Sequence, residues 1–172
     1  AREFFTHDKG LRLSHEEKGP GILISKLSRK KSDDRNHYDD EDVSIFVLGT
    51  LIYGGRMGPE AIGLFREDLR EKPLEDLTGS LDGPFCLVIR KKTWQGCRVV
   101  TDHAGIMNMY LYRSGGRTAL SSSSMALSRV YPVTLDQDAL VQFLRTGNVY
   151  GSATIYREIE LLEPASLYSI DE

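Results

Sequence analysis

The sequence predicts an α+β protein, and three observations lead there. Short β-prone runs recur between turn residues, a four-residue apolar period appears in only a few places, and the two patterns do not alternate as strict βαβ units would. The N-terminal stretch is polar and shows no assignable element before Gly19-Pro20. Residues 21–27 (GILISKL) then read as a strand, short, apolar and bounded by turn residues. Residues 29–42 (RKKSDDRNHYDDED) turn from basic to acidic without periodicity, which predicts a mobile surface loop. Residues 43–53 form a second strand, closed by Gly54-Gly55.

From Pro59 the period changes. Ala61, Phe65 and Leu69 recur every four residues with Ile62 beside them, while Arg66, Glu67, Arg70 and Glu71 take the other face. This is an amphipathic helix that Pro59 suits at its first turn and Pro73 prevents from continuing. Residues 85–89 and 97–100 are strands joined by the polar turn 91–96. Residues 109–112 and 118–120 pair across Ser114-Gly115-Gly116. A short helix follows over 125–130, and a longer one over 136–145, with Asp136 as N-cap and Gly147 as its stop. Residues 165–170 are again strand-like.

Composition sets the outer bounds. The 172 residues, 40% hydrophobic and 27% charged, suit one soluble domain over 1–172 that can bury its own core. A net charge of -3 supplies no general cationic field, so neither nucleic acid nor an anionic membrane is an expected partner. Apolar runs such as residues 45–48 fall far short of the ~20 needed to span a bilayer, and residues 1–10 carry no signal-peptide core. Cys86 and Cys97 form no CxxC pair and no disulfide framework, which gives a cytoplasmic expectation.

Individual motifs carry little chemistry. His7, His15, His37 and His103 show no HExxH or Cys-His spacing, and no metal site is expected. The acidic residues Asp33, Asp34, Asp39, Asp40 and Asp42 lack the central Gly and terminal Glu of a calcium loop. Residues 79–83 (GSLDG) have the wrong spacing for a nucleophile elbow. Ser114-Gly115-Gly116 continues to Arg117-Thr118 rather than the Asp-Ser pair of an ATP loop, and reads as a turn. Cys86 sits mid-strand as a buried inert thiol, whereas Cys97 opens its strand nearer solvent.

The order of segments is more informative. Residues 81–89 (LDGPFCLVI), 101–110 (TDHAGIMNMY), 122–127 (SSSMAL), 143–147 (FLRTG), 154–159 (TIYREI) and 162–165 (LEPA) fall in one order and spacing. That order resembles the class II glutamine amidotransferase domains of asparagine synthetase and β-lactam synthetase type, whose corresponding motifs end in L-x-P-G. The resemblance implies an N-terminal-nucleophile fold, a four-layer αββα sandwich of two antiparallel sheets. It also implies a partner synthetase domain, in the same natural chain or a separate subunit, where ATP and Mg would bind; this domain itself needs no cofactor. A homodimer is a further assembly open at this point.

Upstream, residues 47–54 (VLGTLIYG) are similar to the family's N-G-E-I-Y-N strand, whose Asn and Gly supply oxyanion-stabilising donors. Gly49 and Thr50 take those places, so the side-chain donor is missing. Gly58 stands where the family has the Asp that holds the glutamine amino group. Lys18-Gly19-Pro20-Gly21 is faintly similar to R-G-P-D. Residues 25–28 (SKLS) are similar to the segment bearing the Arg that clamps the substrate carboxylate, and Lys26 neighbours or replaces it without the bidentate fork. In active members the nucleophile is an N-terminal Cys; here Ala1 stands first, and no catalytic residue is assigned. Asp102 and Gly105 complete the pocket positions implied by resemblance, with turn-shaping as their expected role.

The resemblance thus implies a glutaminase-like domain that does not hydrolyse glutamine. Two other readings stay open at this stage. One is a working amidotransferase whose nucleophile is lost or altered in this chain, and the other an unrelated ligand-binding or docking module.

Overall fold

Twelve strands and four helices are built by the computed structural model, which describes residues 12–19, 22–28 and 36–171. The fold is α+β, and every strand pairing among the described residues is antiparallel. The chain divides into two compact units. One holds residues 108–163, the other the described residues up to 107 together with 164–171.

The larger unit is organised by a five-stranded sheet. Its strands are β3 (His37–Asp39), β4 (Val43–Gly49), β7 (Phe85–Lys91), β8 (Cys97–Thr101) and β12 (Leu167–Ile170), in the order β12-β8-β7-β4-β3. Strand alternation sends Val43, Ile45 and Val47 of β4, with Phe85, Leu87 and Ile89 of β7, into one buried cluster. Helix α1 (Pro59–Glu71) lays Ala61, Ile62, Phe65 and Leu69 into the same cluster, its predicted apolar stripe. A second, short helix, α2 (Leu74–Thr78), adds Leu74 and Leu77. Its five residues were too few to show a period. On the opposite face of β4, Ser44 and Phe46 meet a two-stranded ribbon of β1 (Arg12–Gly19) and β2 (Ile22–Ser28). Strand β1 went unread in the sequence because its RLSHEEKG is almost wholly polar.

Two expectations are corrected. Residues 43–53 are not one strand: β4 stops at Gly49, whose φ of 82° turns the chain out of the sheet. The remainder, β5 (Ile52–Tyr53), pairs instead with β6 (Arg56–Met57). The predicted loop 29–42 lies outside the described residues up to 35, but His37–Asp39 within it is an edge strand paired with β4. The acidic residues there serve structure. Asp40 accepts the backbone N–H groups of Asp42 and Val43 at 2.8 Å each and receives Arg66 Nε at 3.0 Å. Burial opposes charge on Asp40, but the Arg66, Val43, Asp42 and Tyr38 hydrogen bonds outweigh it and hold the carboxyl well below its ordinary range. The compensating arginine is 26 residues away in sequence, so the local charge run concealed it.

The smaller unit carries a three-stranded sheet of β9 (Tyr110–Ser114), β10 (Arg117–Ser121) and β11 (Ile159–Leu161), in the order β10-β9-β11. Helices α3 (Ser124–Val130) and α4 (Gln137–Thr146) accompany it, each with a side-chain N-cap, Ser123 and Asp136 respectively. Tyr112, Leu127 and Ile159 form its core, and Tyr112 stacks on Tyr131 with centroids 4.6 Å apart. No helix among the described residues is long and apolar enough to cross a membrane.

Candidate functional site

The end of β4 is drawn to the start of β7 by the ladder that places Gly49 opposite Phe85. One step further, Thr50 donates its backbone N–H to the Pro84 carbonyl at 2.7 Å. A β-carbon at Gly49 would lie 2.2 Å from that same Pro84 oxygen and 2.8 Å from Met107 Cγ. Glycine is therefore required there twice, by its left-handed backbone and by the absence of space. Asn36 completes the turn, donating Nδ2 to the Gly49 carbonyl at 2.8 Å.

Phe85 also connects this turn to Asp102, which donates its own N–H to the Phe85 carbonyl at 3.0 Å. The Asp102 side chain folds back into the loop that follows. Oδ1 accepts Ala104 N–H at 2.9 Å and Ile106 N–H at 3.0 Å, and Oδ2 accepts Met107 N–H at 3.0 Å. Asp102 is only 1% exposed. Burial raises its pKa, but the Met107, Ile106, Ala104 and Gly105 backbone donors outweigh burial and leave the carboxyl below its ordinary range. Gly105 brings the loop against Pro164, whose Cγ would stand 2.8 Å from any β-carbon at that position.

Gly49, Thr50, Asp102 and Gly105 thus share one constellation, built around Pro84-Phe85. Gly58 adjoins it through the chain, donating its N–H to the Leu51 carbonyl at 3.2 Å; it is the N-cap residue of α1 and offers no side-chain cap. Lys26 lies on β2 opposite His15, and its carbonyl accepts Ser14 Oγ at 3.2 Å. Ala1 lies outside the described residues. Asn36, Pro84 and Met107 position the Gly49 turn, a role their local sequence does not show, since each acts on a residue at least 13 positions away.

Two clefts on this unit do not include the Gly49 turn. One of about 270 Å³ is lined by Asp42, Arg66, Arg70, Lys91 and Lys92. A smaller one of about 160 Å³ is lined by Phe85, Thr101, His103 and Ser166. Neither includes Gly49, Thr50 or Gly58. The thiols are equally remote from nucleophilic work. Cys97, expected nearer solvent, is 3% exposed, because β12 pairs along it as the next strand of the sheet. Burial pushes Cys97 up to about 11, and burial together with the Asp102 charge pushes Cys86 up to about 12.

A comparison with family models decides the wider assignment: the glutamine amidotransferase domain model matches residues 69–172, well over half the chain. The chain belongs to the glutamine amidotransferase domain family. No curated protein and no solved structure matches the chain significantly. The matched segment begins inside α1 and takes in Pro84-Phe85, the Asp102 loop and β12. Gly49, Thr50 and Gly58 precede it, and they join it through the Phe85 ladder and the Pro84 hydrogen bond.

One departure inside this amidotransferase domain has an energetic signature. Ala165 stands where the resembled L-x-P-G ending has glycine, and its φ is 51°. It is held there by its N–H bond to the Asp102 carbonyl at 2.9 Å. Ala165→Gly should therefore relieve left-handed strain and raise stability by about 0.5–1 kcal/mol, net of the extra freedom glycine gives the unfolded chain. The urea midpoint checks this, and an unchanged or lowered midpoint counts against it.

Proposed function

We propose that this amidotransferase domain is the glutaminase-like part of an asparagine synthetase-type, ATP-dependent amide-forming protein and does not hydrolyse glutamine itself. The observation that carries the reading is the Gly49-Thr50 turn. Gly49 has no side-chain donor, and the Thr50 N–H is already given to Pro84 at 2.7 Å. An acyl-transfer centre needs donors aimed at the developing oxyanion, and one such donor is worth about 2.7–4 kcal/mol of transition-state stabilisation. Gly58, which carries no carboxylate, removes the group that would hold a glutamine amino group.

The scaffold around these positions is kept, with the Asp102 loop fully bonded and β7 and β8 buried. That pattern suits a module retained for docking. In this reading the fold is the N-terminal-nucleophile sandwich, and the protein works in the cytoplasm. ATP and Mg bind in a synthetase domain, within the same natural chain or as a separate subunit. Incubating the natural full-length protein with isotopically labelled glutamine tests it. Labelled glutamate should form no faster than with a heat-killed control; release well above that control overturns the proposal and restores a working glutaminase.

A further inference from the structure

The β1–β2 ribbon is hydrogen-bonded as a sheet only to itself among the described residues, while the five-stranded sheet beneath closes without it. A two-stranded ribbon alone is marginally stable in water at best, so its order depends on how it docks. The docking contact includes a buried ion cluster. Glu17 of β1, its side chain 6% exposed, pairs with the Arg90 guanidinium and receives Lys92 Nζ at 2.8 Å. Lys92 in turn reaches Ser44 Oγ at 2.7 Å and Asp39 Oδ1 at 3.1 Å. Gly19 leaves room for Arg90, whose Nη2 would stand 2.1 Å from a β-carbon at that position.

Among the described residues the cluster is not fully satisfied: Glu17 Oε2 and Arg90 Nε are buried without a hydrogen-bond partner there. A buried ion pair in that condition contributes little net stability while both charges stand, and a large loss when one is removed. Such an arrangement suits a switch better than a permanent brace.

We propose that β1 and β2 form a strap latched to the central sheet by Glu17, and that the strap opens as a unit when Glu17 takes up a proton while the sheet stays folded. Opening uncovers Arg90, Lys92 and the Ser44 hydroxyl, the groups that hold the carboxylate when the strap is closed. The pH sense follows from the latched state. Burial raises the Glu17 pKa, but the hydrogen bonds from Lys92, Ser44 and Arg90 outweigh it and leave it lowered. The latch is therefore complete above the ordinary glutamate range and is lost as pH falls through the lowered value. Among the described residues, the other ionisable groups around the latch are His15 on β1, Asp39 and His37 on β3, Cys97 on β8 and the two cations named. His15 and His37 lie against each other beside the latch, ring centroids 4.4 Å apart and tilted by 33°, so the Glu17 contribution is isolated by substitution. The device stands whether or not the domain hydrolyses glutamine.

Hydrogen exchange on the full chain, corrected for intrinsic rates, provides the test. From neutral pH down through and below the ordinary glutamate range, β1 and β2 amides should lose about tenfold or more of their protection, while β7 and β8 keep theirs. Glu17→Gln should show that loss already at neutral pH and respond no further to acid in this range. Lys92→Gln, at the half-exposed rim, removes one of the two cations and should move the opening to higher pH; it serves if Glu17→Gln does not fold. Protection lost together in β1 and β7, or Glu17→Gln and Lys92→Gln that exchange like the parent, overturns the proposal.

Discussion

Gly49→Asn is expected to destabilise the domain by roughly 3–5 kcal/mol rather than to repair an oxyanion-binding side chain. Two independent costs add at this position. Any residue but glycine strains a backbone held at φ 82°, and any β-carbon lands 2.2 Å from the Pro84 carbonyl oxygen. Asparagine tolerates the left-handed region better than most residues, which lowers the first cost and leaves the second untouched. Gly49→Ala should consequently lose a similar amount, because the collision is with Cβ and not with the amide beyond it. Urea unfolding of both variants measures this. Asparagine within about 1 kcal/mol of the parent protein would show that the turn can yield, and that the missing donor is a single substitution away.

Asp102→Ala is expected to cost about 2–4 kcal/mol, because one buried carboxylate organises the backbone of five residues through three N–H groups. Asp102→Asn should cost less. An amide oxygen in the Oδ1 place still accepts Ala104 and Ile106, while the NH₂ group faces the Met107 N–H and loses that bond. The ordering of parent over Asn over Ala is itself informative, since equal losses would mean that burial, not hydrogen bonding, sets the effect. The same group contributes a pH dependence. With its folded pKa lowered, Asp102 stabilises fully above the ordinary aspartate range, and the contribution disappears as pH falls through the lowered value. Acid titration of stability should therefore flatten in Asp102→Asn relative to the parent.

Much of this fold was legible because its elements announce themselves locally. Helix α1 shows its stripe in Ala61, Phe65 and Leu69, and α4 is framed by Asp136 and Gly147. Strand β7 opens on a continuous apolar run, residues 85–89, because residues on both of its faces are buried. What escaped is non-local. Strand β1 is polar in sequence and owes its place to Arg90 and Lys92, more than 70 residues away. Edge strand β3 sits inside a charge run whose neutralising partner, Arg66, belongs to a helix not yet formed when the run is read. The segment order pointed to the glutamine amidotransferase family that the family model shows, and the structure brings Gly49, Thr50 and Asp102 together around Pro84-Phe85. The engagement of the Thr50 N–H by Pro84 is a matter of spacing between two strands, which no single stretch encodes.

The two thiols have a use of their own. Alternation along β7 and β8 turns Cys86 and Cys97 toward one side of the sheet, and both are almost wholly enclosed with thiolate formation suppressed. A thiol reagent added to native protein can react only as fast as the structure exposes them. Cys97 neighbours the Arg90 and Glu17 charges, and Cys86 neighbours Asp102. The order in which they are alkylated is then an internal stopwatch, with one hand on the ribbon edge of the sheet and the other on the Asp102 loop.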